Sequence, residues 1–263
     1  MGSLICLPLN LLEKRSALSA IHRCAYGSTE ERFINALRDA ITCMSQTSTL
    51  LSQDTHVSWK PNPGQQTFAL TREENEILYG GARGGGKTDA AICWITRWTD
   101  NPQLRFLVVR RNAQDLDDWI DRAKHMWADL GVTFAGREAR FPSGAKGIFG
   151  HLHDDNAYER YQGHEYQKMI IEELTHIPNE ELYLKLFASC RSTVNGLHAQ
   201  IFLTTNPGNI GHEWVKERFV FGKFPNKTYI QYDPDTKSHR SRIFIPAKVE
   251  DNPVLIEKDP SYV

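Results

Sequence analysis

Eight consecutive residues, Gly81-Ala82-Arg83-Gly84-Gly85-Gly86-Lys87-Thr88, fit the pattern G-x-x-x-x-G-K-[ST] without a mismatch. Such a run can wrap a phosphate chain, because glycines let the backbone approach closely and turn its N–H groups inward. Lys87 then reaches the β- and γ-phosphates, and the Thr88 hydroxyl holds Mg²⁺. Arg83, inside the loop, is the first candidate to place positive charge on the transferring phosphoryl group. The expected ligands are therefore ATP and Mg²⁺. A glycine-rich turn with a chance Lys-Thr is the plainer reading. An apolar strand before the run and a helical pattern after it argue against that reading, since the helix N-terminus adds positive potential where phosphate would sit.

Two further segments carry chemistry. Lys168-Met169-Ile170-Ile171-Glu172-Glu173 is an apolar strand ending in two carboxylates. Glu172 is expected to anchor Mg²⁺ and Glu173 to orient or deprotonate an attacking water. Apolar strands often end in solvated acids, so the pair gains weight only from the phosphate loop upstream. Phe202-Leu203-Thr204-Thr205-Asn206-Pro207-Gly208 is a strand ending in small polar side chains that can sense a γ-phosphate, or else an ordinary Asn-Pro-Gly turn.

The elements that must position these residues alternate. Short strands are expected at 77–79, 105–109, 169–171 and 201–204, and β structure at 132–134 and 139–152 around Pro142-Ser143-Gly144. Helices are expected at 87–98, through Leu116, Trp119, Ile120, Ala123 and Trp127, and at 180–190. Strand–helix alternation of this kind implies an α/β fold, a P-loop NTPase with a mostly parallel central sheet flanked by helices. Residues 1–55 read as a helical N-terminal extension. Ser28-Thr29-Glu30-Glu31 gives a capping box, with Phe33, Leu37, Ala40, Ile41 and Met44 behind it at helical spacing. The ATPase domain is placed at 56–250, after the break at Trp59-Lys60-Pro61-Asn62-Pro63-Gly64.

Composition narrows the class. The formal net charge of -1 gives no global basic field, so nucleic-acid binding must rest on local patches or on assembly. Five cysteines without a Cys-x-x-Cys pair fit a reduced, intracellular protein rather than a disulfide scaffold. Leu4 to Leu12 is too short for a membrane span, and Cys6 stands where a myristoylation signal needs Ser or Thr. His151 and His153 share a strand face but have no third ligand at matching spacing. Lys216, Arg218, Lys223, Lys227, Lys237, Arg240 and Arg242, interleaved with Tyr229, Tyr232 and Phe244, form the one basic stretch that could contact phosphates, or a solvated loop.

The order of these motifs resembles the large terminase subunit of phages, from about Trp59 to Tyr262. Pro63-Gly64-Gln65-Gln66-Thr67 resembles the segment that holds adenine in that family, with Gln66 the better fit. Tyr161-Gln162-Gly163-His164-Glu165, Glu173-Leu174-Thr175-His176 and Gly211-His212-Glu213-Trp214 also resemble family segments. The resemblance implies an ATPase that translocates double-stranded DNA into a procapsid in the host cytoplasm. It implies a homo-oligomeric ring, a portal protein and a small terminase subunit as partners, and no membrane. It makes Thr204-Thr205-Asn206 the coupling motif, and leaves Arg110, Arg111 and Arg191 as candidates to reach a neighbouring subunit. The family usually has Asp-Glu where this chain has Glu172-Glu173. Residues 251–263 resemble the start of the segment leading to a nuclease domain, so no nuclease activity is expected of this chain. Another P-loop DNA-dependent ATPase, helicase or recombinase-like, and a truncated nucleotide-binding relic without turnover are the alternatives.

Overall fold

Buried on both faces, Glu76–Gly81 forms the first strand, β1, in the computed structural model, which describes residues 59–154, 156–233 and 237–262. The helix expected within 1–55 lies outside the described residues. Pro61–Val263 packs as one unit. A short helix α1 (Gln65–Leu70) precedes β1, and α2 (Lys87–Thr96) follows it. Then come β2 (Arg105–Arg110), α3 (Asp115–Met126), the small strands β3 (Thr133–Ala135) and β4 (Glu138–Arg140), β5 (Lys146–His151) and β6 (Lys168–Ile171). The chain continues through α4 (Glu180–Phe187), β7 (Gln200–Thr205), α5 (His212–Phe219), β8 (Thr228–Asp233), β9 (Ser238–Ala247) and α6 (Pro253–Lys258).

All nine strands join one sheet in the order β3-β4-β5-β2-β6-β7-β1-β9-β8. The six central strands, β5 to β9 in that order, run parallel, and antiparallel pairs close both margins. This is the expected α/β architecture. Continuous apolar runs such as Met169-Ile170-Ile171 form central strands because helices cover both faces of a parallel sheet.

Every residue of α2 from Ala90 to Ile95 is buried, as a helix apolar all round requires. Trp94 from this helix packs on Phe202 of β7 at 5.2 Å between ring centroids. The amphipathic helix α3 buries Leu116, Trp119, Ile120 and Ala123, with acids in its first turn and Lys124 and His125 in its last, matching the helix dipole. On the sheet's side facing α4 and α5, a buried cluster joins Leu78, Leu107, Met169 and Leu203 of the sheet to Tyr183 and Leu186 of α4 and Val215 and Phe219 of α5.

Two regions differ from the sequence reading. The basic stretch around 223–244 contains a hairpin, β8 with β9, and β9 lies parallel beside β1. Ile243, Ile245 and Ala247 face the core while Arg242 is buried against Glu76, so charged residues masked a strand. The segment after residue 250 is also ordered locally. Asn252 accepts a hydrogen bond from the Leu255 N–H, and Pro253 occupies the first turn of α6, where its missing N–H costs nothing. Among the described residues no helix is long and apolar enough to cross a membrane.

Candidate nucleotide site at the carboxyl ends of the strands

Parallel strands bring their carboxyl ends to one edge of the sheet, and the three motifs meet there. Because β7 lies between β1 and β6, Asn206 at its end stands between Lys87 and Glu173. The Lys87 Nζ donates to Asn206 Oδ1 at 2.8 Å and to the Ala82 carbonyl at 2.5 Å. The Asn206 Nδ2 donates to Glu173 Oε1 at 2.6 Å. Burial lowers the Lys87 pKa, against the pull of the carboxylates of Glu173 and Glu172. These groups line a cleft of about 910 Å³ together with Gly84 to Thr88, Arg110 and Trp119.

The loop is held by three side chains from beyond it in sequence. Its consecutive carbonyl oxygens each accept a bond: Gly84 from Asn252 Nδ2 at 2.6 Å, Gly85 from the Tyr79 hydroxyl at 3.1 Å, and Gly86 from Gln66 Nε2 at 2.8 Å. These three bonds fix the directions of the loop's successive carbonyls and so hold it in one conformation. At its start, Ala82 N–H donates to the Ala247 carbonyl at 2.8 Å. A Cβ on Gly81 would lie 2.3 Å from that carbonyl oxygen, so this close approach demands glycine.

Glu173 has left-handed backbone angles, φ 53° and ψ 56°. A regular strand would send successive side chains to opposite faces. The left-handed turn lets both Glu172 and Glu173 line the same cleft, at a backbone cost of about 1–2 kcal/mol. The Glu173 N–H donates to Thr204 Oγ1 at 3.3 Å. The hydroxyls of Thr205 and Thr175 lie 3.1 Å apart, and Thr175 Oγ1 donates to the Asn206 carbonyl at 3.0 Å. Thr204 and Thr205 are thus buried fasteners between the acid loop and the end of β7, while Asn206 alone of the three lines the cleft.

Glu172 is 3 % exposed, and its Oε1 has no hydrogen-bond partner. Burial pushes its pKa up to about 7, against the attraction of Arg110, whose Nε lies 3.9 Å away, and the nearby Thr88 hydroxyl and Trp119 indole. Glu173 Oε2 is likewise buried and unpartnered. Orphaned carboxylate oxygens facing a loop of N–H donors fit a cation that arrives with phosphates. Among the described residues no cluster of three or more His, Cys, Asp or Glu could hold a metal unaided. One carboxylate, one hydroxyl and phosphate oxygens are instead the usual Mg²⁺ arrangement, and Glu172 and Thr88 are the residues that would supply the protein share.

The other sequence-derived residues are distributed as follows. Arg83 is exposed at the cleft mouth, with no ion pair among the described residues. Gln66 is 1 % exposed behind the loop, its Oε1 accepting from the Asn62 N–H at 2.5 Å, and it is not among the cleft-lining residues. Arg110 lines the cleft, and one of its terminal nitrogens donates to the Asp115 carbonyl at 2.7 Å. Arg111 donates to the Leu152 carbonyl at 2.6 Å. Arg191 lies in a separate cleft of about 440 Å³ with Gln162, Gly163 and His164. Of the basic stretch, Arg218 and Arg242 are buried on Glu76 and are not free to meet phosphate. Asn62, Tyr79, Asp89, Arg122, Asn252 and Leu255 belong to the loop's supports or the cleft lining and were not singled out by sequence. Only Asn252-Pro253 carried a local signal, that of a helix start.

Comparison with known proteins gives a consistent picture. Residues 78–259 match the family model described as terminase large subunit, T4likevirus-type, N-terminal. A search of curated protein sequences found no match. The large terminase of a thermophilic bacteriophage superposes with a TM-score of 0.56 at 20 % identity, covering 75 % of this chain and 48 % of that one. The same terminase in complex with ATP-γ-S gives 0.53 at 19 % identity, over 77 % and 49 %. The bacteriophage phi29 genome packaging motor assembly gives 0.50 at 17 % identity, over 76 % and 61 %. At these identities the likeness is one of fold, and this chain spans about half the length of the thermophilic phage's terminase.

Proposed function

Because the chain belongs to the family of phage large terminase subunits of the T4likevirus type, we propose that its P-loop domain binds ATP with Mg²⁺ and hydrolyses it to drive double-stranded DNA into a procapsid. The observation that carries this reading is the Lys87–Asn206–Glu173 chain of hydrogen bonds. It joins the phosphate-binding lysine to the candidate base through a residue of a third strand.

In this reading the N–H groups of Gly84 to Thr88 bind the phosphate chain and Lys87 its terminal oxygens. Lys87 now spends its protons on the Ala82 carbonyl and Asn206, acceptors weaker than a phosphate. Bound phosphate therefore draws Lys87 away from Asn206 and loosens the hold of Asn206 on Glu173. Glu173 then orients a water and takes its proton at Oε2, the oxygen without a partner. Thr204 and Thr205 keep that movement in register with the end of β7, which is the coupling role. Thr88 and Glu172 would hold Mg²⁺, which when bound would supply charge neutralisation at the phosphates. Arg83 adds positive charge to the transferring group.

Assembly belongs to the same proposal. The partners are DNA gripped through its backbone, a portal protein and a small terminase subunit, with the chain acting in a homo-oligomeric ring in the host cytoplasm. Arg191, which lines a separate cleft, is the arginine proposed to serve a neighbour. DNA cleavage is not part of the proposal.

The test is phosphate release from Mg-ATP with and without double-stranded DNA, beside Glu173→Gln. Turnover that the substitution lowers by 10²-fold or more, with nucleotide binding retained, is the expected result. Nucleotide binding without turnover in the unaltered protein, with or without DNA, would leave only a binding relic.

A further inference from the structure

Of the three side chains that hold the phosphate loop, two are immovable and one is not. Tyr79 lies within β1 with no exposure, and Gln66 is 1 % exposed. Asn252 is half-buried in an irregular turn, φ -119° and ψ 76°, between two short helical segments that contain no buried residue. Segments that bury few side chains open at low cost, so only the Asn252 contact can be released without disrupting the core.

The amide of Asn252 is also fixed in direction. Its Oδ1 accepts from Asn62 Nδ2 at 3.3 Å and from the Leu255 N–H at 3.4 Å, which leaves Nδ2 for the Gly84 carbonyl at 2.6 Å. Pro253 keeps Asn252 out of helical backbone angles and so in place to cap α6. Gly84 has φ +79°, so the direction of its carbonyl belongs to one particular loop conformation. Asn252 and Leu255 line the same cleft as the loop.

We propose that Asn252 is a positioning residue that makes nucleotide affinity depend on the placement of residues 248–258, and makes that segment's order depend on bound nucleotide. The proposal rests on the ATP reading above. The Asn252 bond to the Gly84 carbonyl favours one conformation of the loop, and nucleotide binding that favours the same conformation favours the Asn252 contact by the same factor. The segment that leaves the ATPase fold is thereby tied to the occupancy of its active site.

The decisive variant is Asn252→Asp. Aspartate caps a helix as well as asparagine, so α6 keeps its start. It has no donor for the Gly84 carbonyl and faces it with negative charge. We expect the dissociation constant for a fluorescent ADP analogue with Mg²⁺ to rise about tenfold, as a lost hydrogen bond plus repulsion implies, with the melting temperature nearly unchanged. Amide hydrogen exchange supplies a measurement that needs no variant. In the unaltered protein, saturating Mg-ADP slows exchange at 249–258 as well as at 82–88. In Asn252→Asp at saturation only 82–88 slows. Affinity within twofold of the unaltered protein, or exchange at 249–258 indifferent to bound nucleotide, overturns the proposal and leaves the ATP reading standing. No nucleotide binding by the unaltered protein overturns both.

Discussion

At the amino end of β1, Glu76 has no exposure and is fully engaged. The Tyr183 hydroxyl donates to it at 2.7 Å and Arg218 from two nitrogens at 2.9 and 3.0 Å, with Arg242 at 3.6 Å. Arg218 also reaches Glu180, so one buried carboxylate joins β1, β9, α4 and α5. At the other end of the sheet Glu172 and Glu173 each leave a buried oxygen without a partner, and Glu173 holds a left-handed backbone. Buried charge is thus satisfied where the fold must hold and left wanting where a ligand must arrive. A carboxylate oxygen without a donor is costly in a core. Two such oxygens beside the glycine-rich loop are what the proposed cation and phosphates would complete.

The largest effect that would expose this division is Lys87→Ala. We expect turnover to fall by about 10³-fold or more, the scale of losing a main charge-stabilising group. Stability should move little, because the contacts of Lys87 are with groups that a ligand also serves. Phosphate release and thermal melting, measured on one preparation, check both halves. A variant that keeps a tenth of the activity would remove Lys87 from the chemistry, and a large drop in melting temperature would make it structural.

The opposite end should respond in reverse. Arg218→Ala leaves Glu76 buried with its principal partner gone, which costs about 3–5 kcal/mol. Urea unfolding reads this directly. The folded fraction should still bind nucleotide within about twofold of the unaltered affinity. A loss below about 1 kcal/mol would mean that water or Arg242 replaces Arg218, and that the contrast between the two ends is weaker than the geometry implies.

The contrast also explains what could be read in advance. Residues 81–88, 172–173 and 204–206 were legible because their chemistry requires contiguous side chains on a loop or strand end. The parallel order of the sheet could be inferred from alternating strands and helices. The supports of the loop were not legible, because Asn252 is 168 residues from Gly84 and, for the nearer Tyr79 and Gln66, no local pattern marks a donor for a glycine carbonyl. Gln66 did draw notice, but as an adenine contact, and in the structure both ends of its amide are taken by backbone groups. The strand β9 was hidden by its arginines. Arg242 looked like a solvated cation until Glu76, from the far end of the domain, appeared beside it. Pairing across such sequence separations is decided by topology, which local spacing does not record.

The smallest expected effect comes from a buried charge at the amino ends that has no ion pair among the described residues. Lys168 in β6 has no exposure. Its Nζ donates to the His198 carbonyl at 2.9 Å and to Gln200 Oε1 at 2.5 Å, and lies 4.0 Å from the centre of the Trp98 ring. Burial lowers its pKa from the usual 10.5 to about 7, opposed by Cys190 and Glu73 and assisted by Arg97. Between those values the unfolded chain keeps the proton and the folded one releases it. The unfolded state therefore binds more protons there, and stability rises with pH from about 7 towards 10. Below 7 both states are protonated and the group adds no slope. His198, held below its usual value by burial, titrates beneath this window. Cys190, pushed up to about 12 by burial against the pull of Lys168, acts in the opposite sense, and only towards the upper end of the window. In Lys168→Met the lysine's contribution to the slope should vanish. The difference between the two proteins in urea unfolding at pH 7 and pH 9 should be on the order of 1–2 kcal/mol. Parallel curves would mean that the two acceptors and the indole ring hold the ammonium charged after all. Lys168 would then belong with Glu76, as a charge the fold has satisfied.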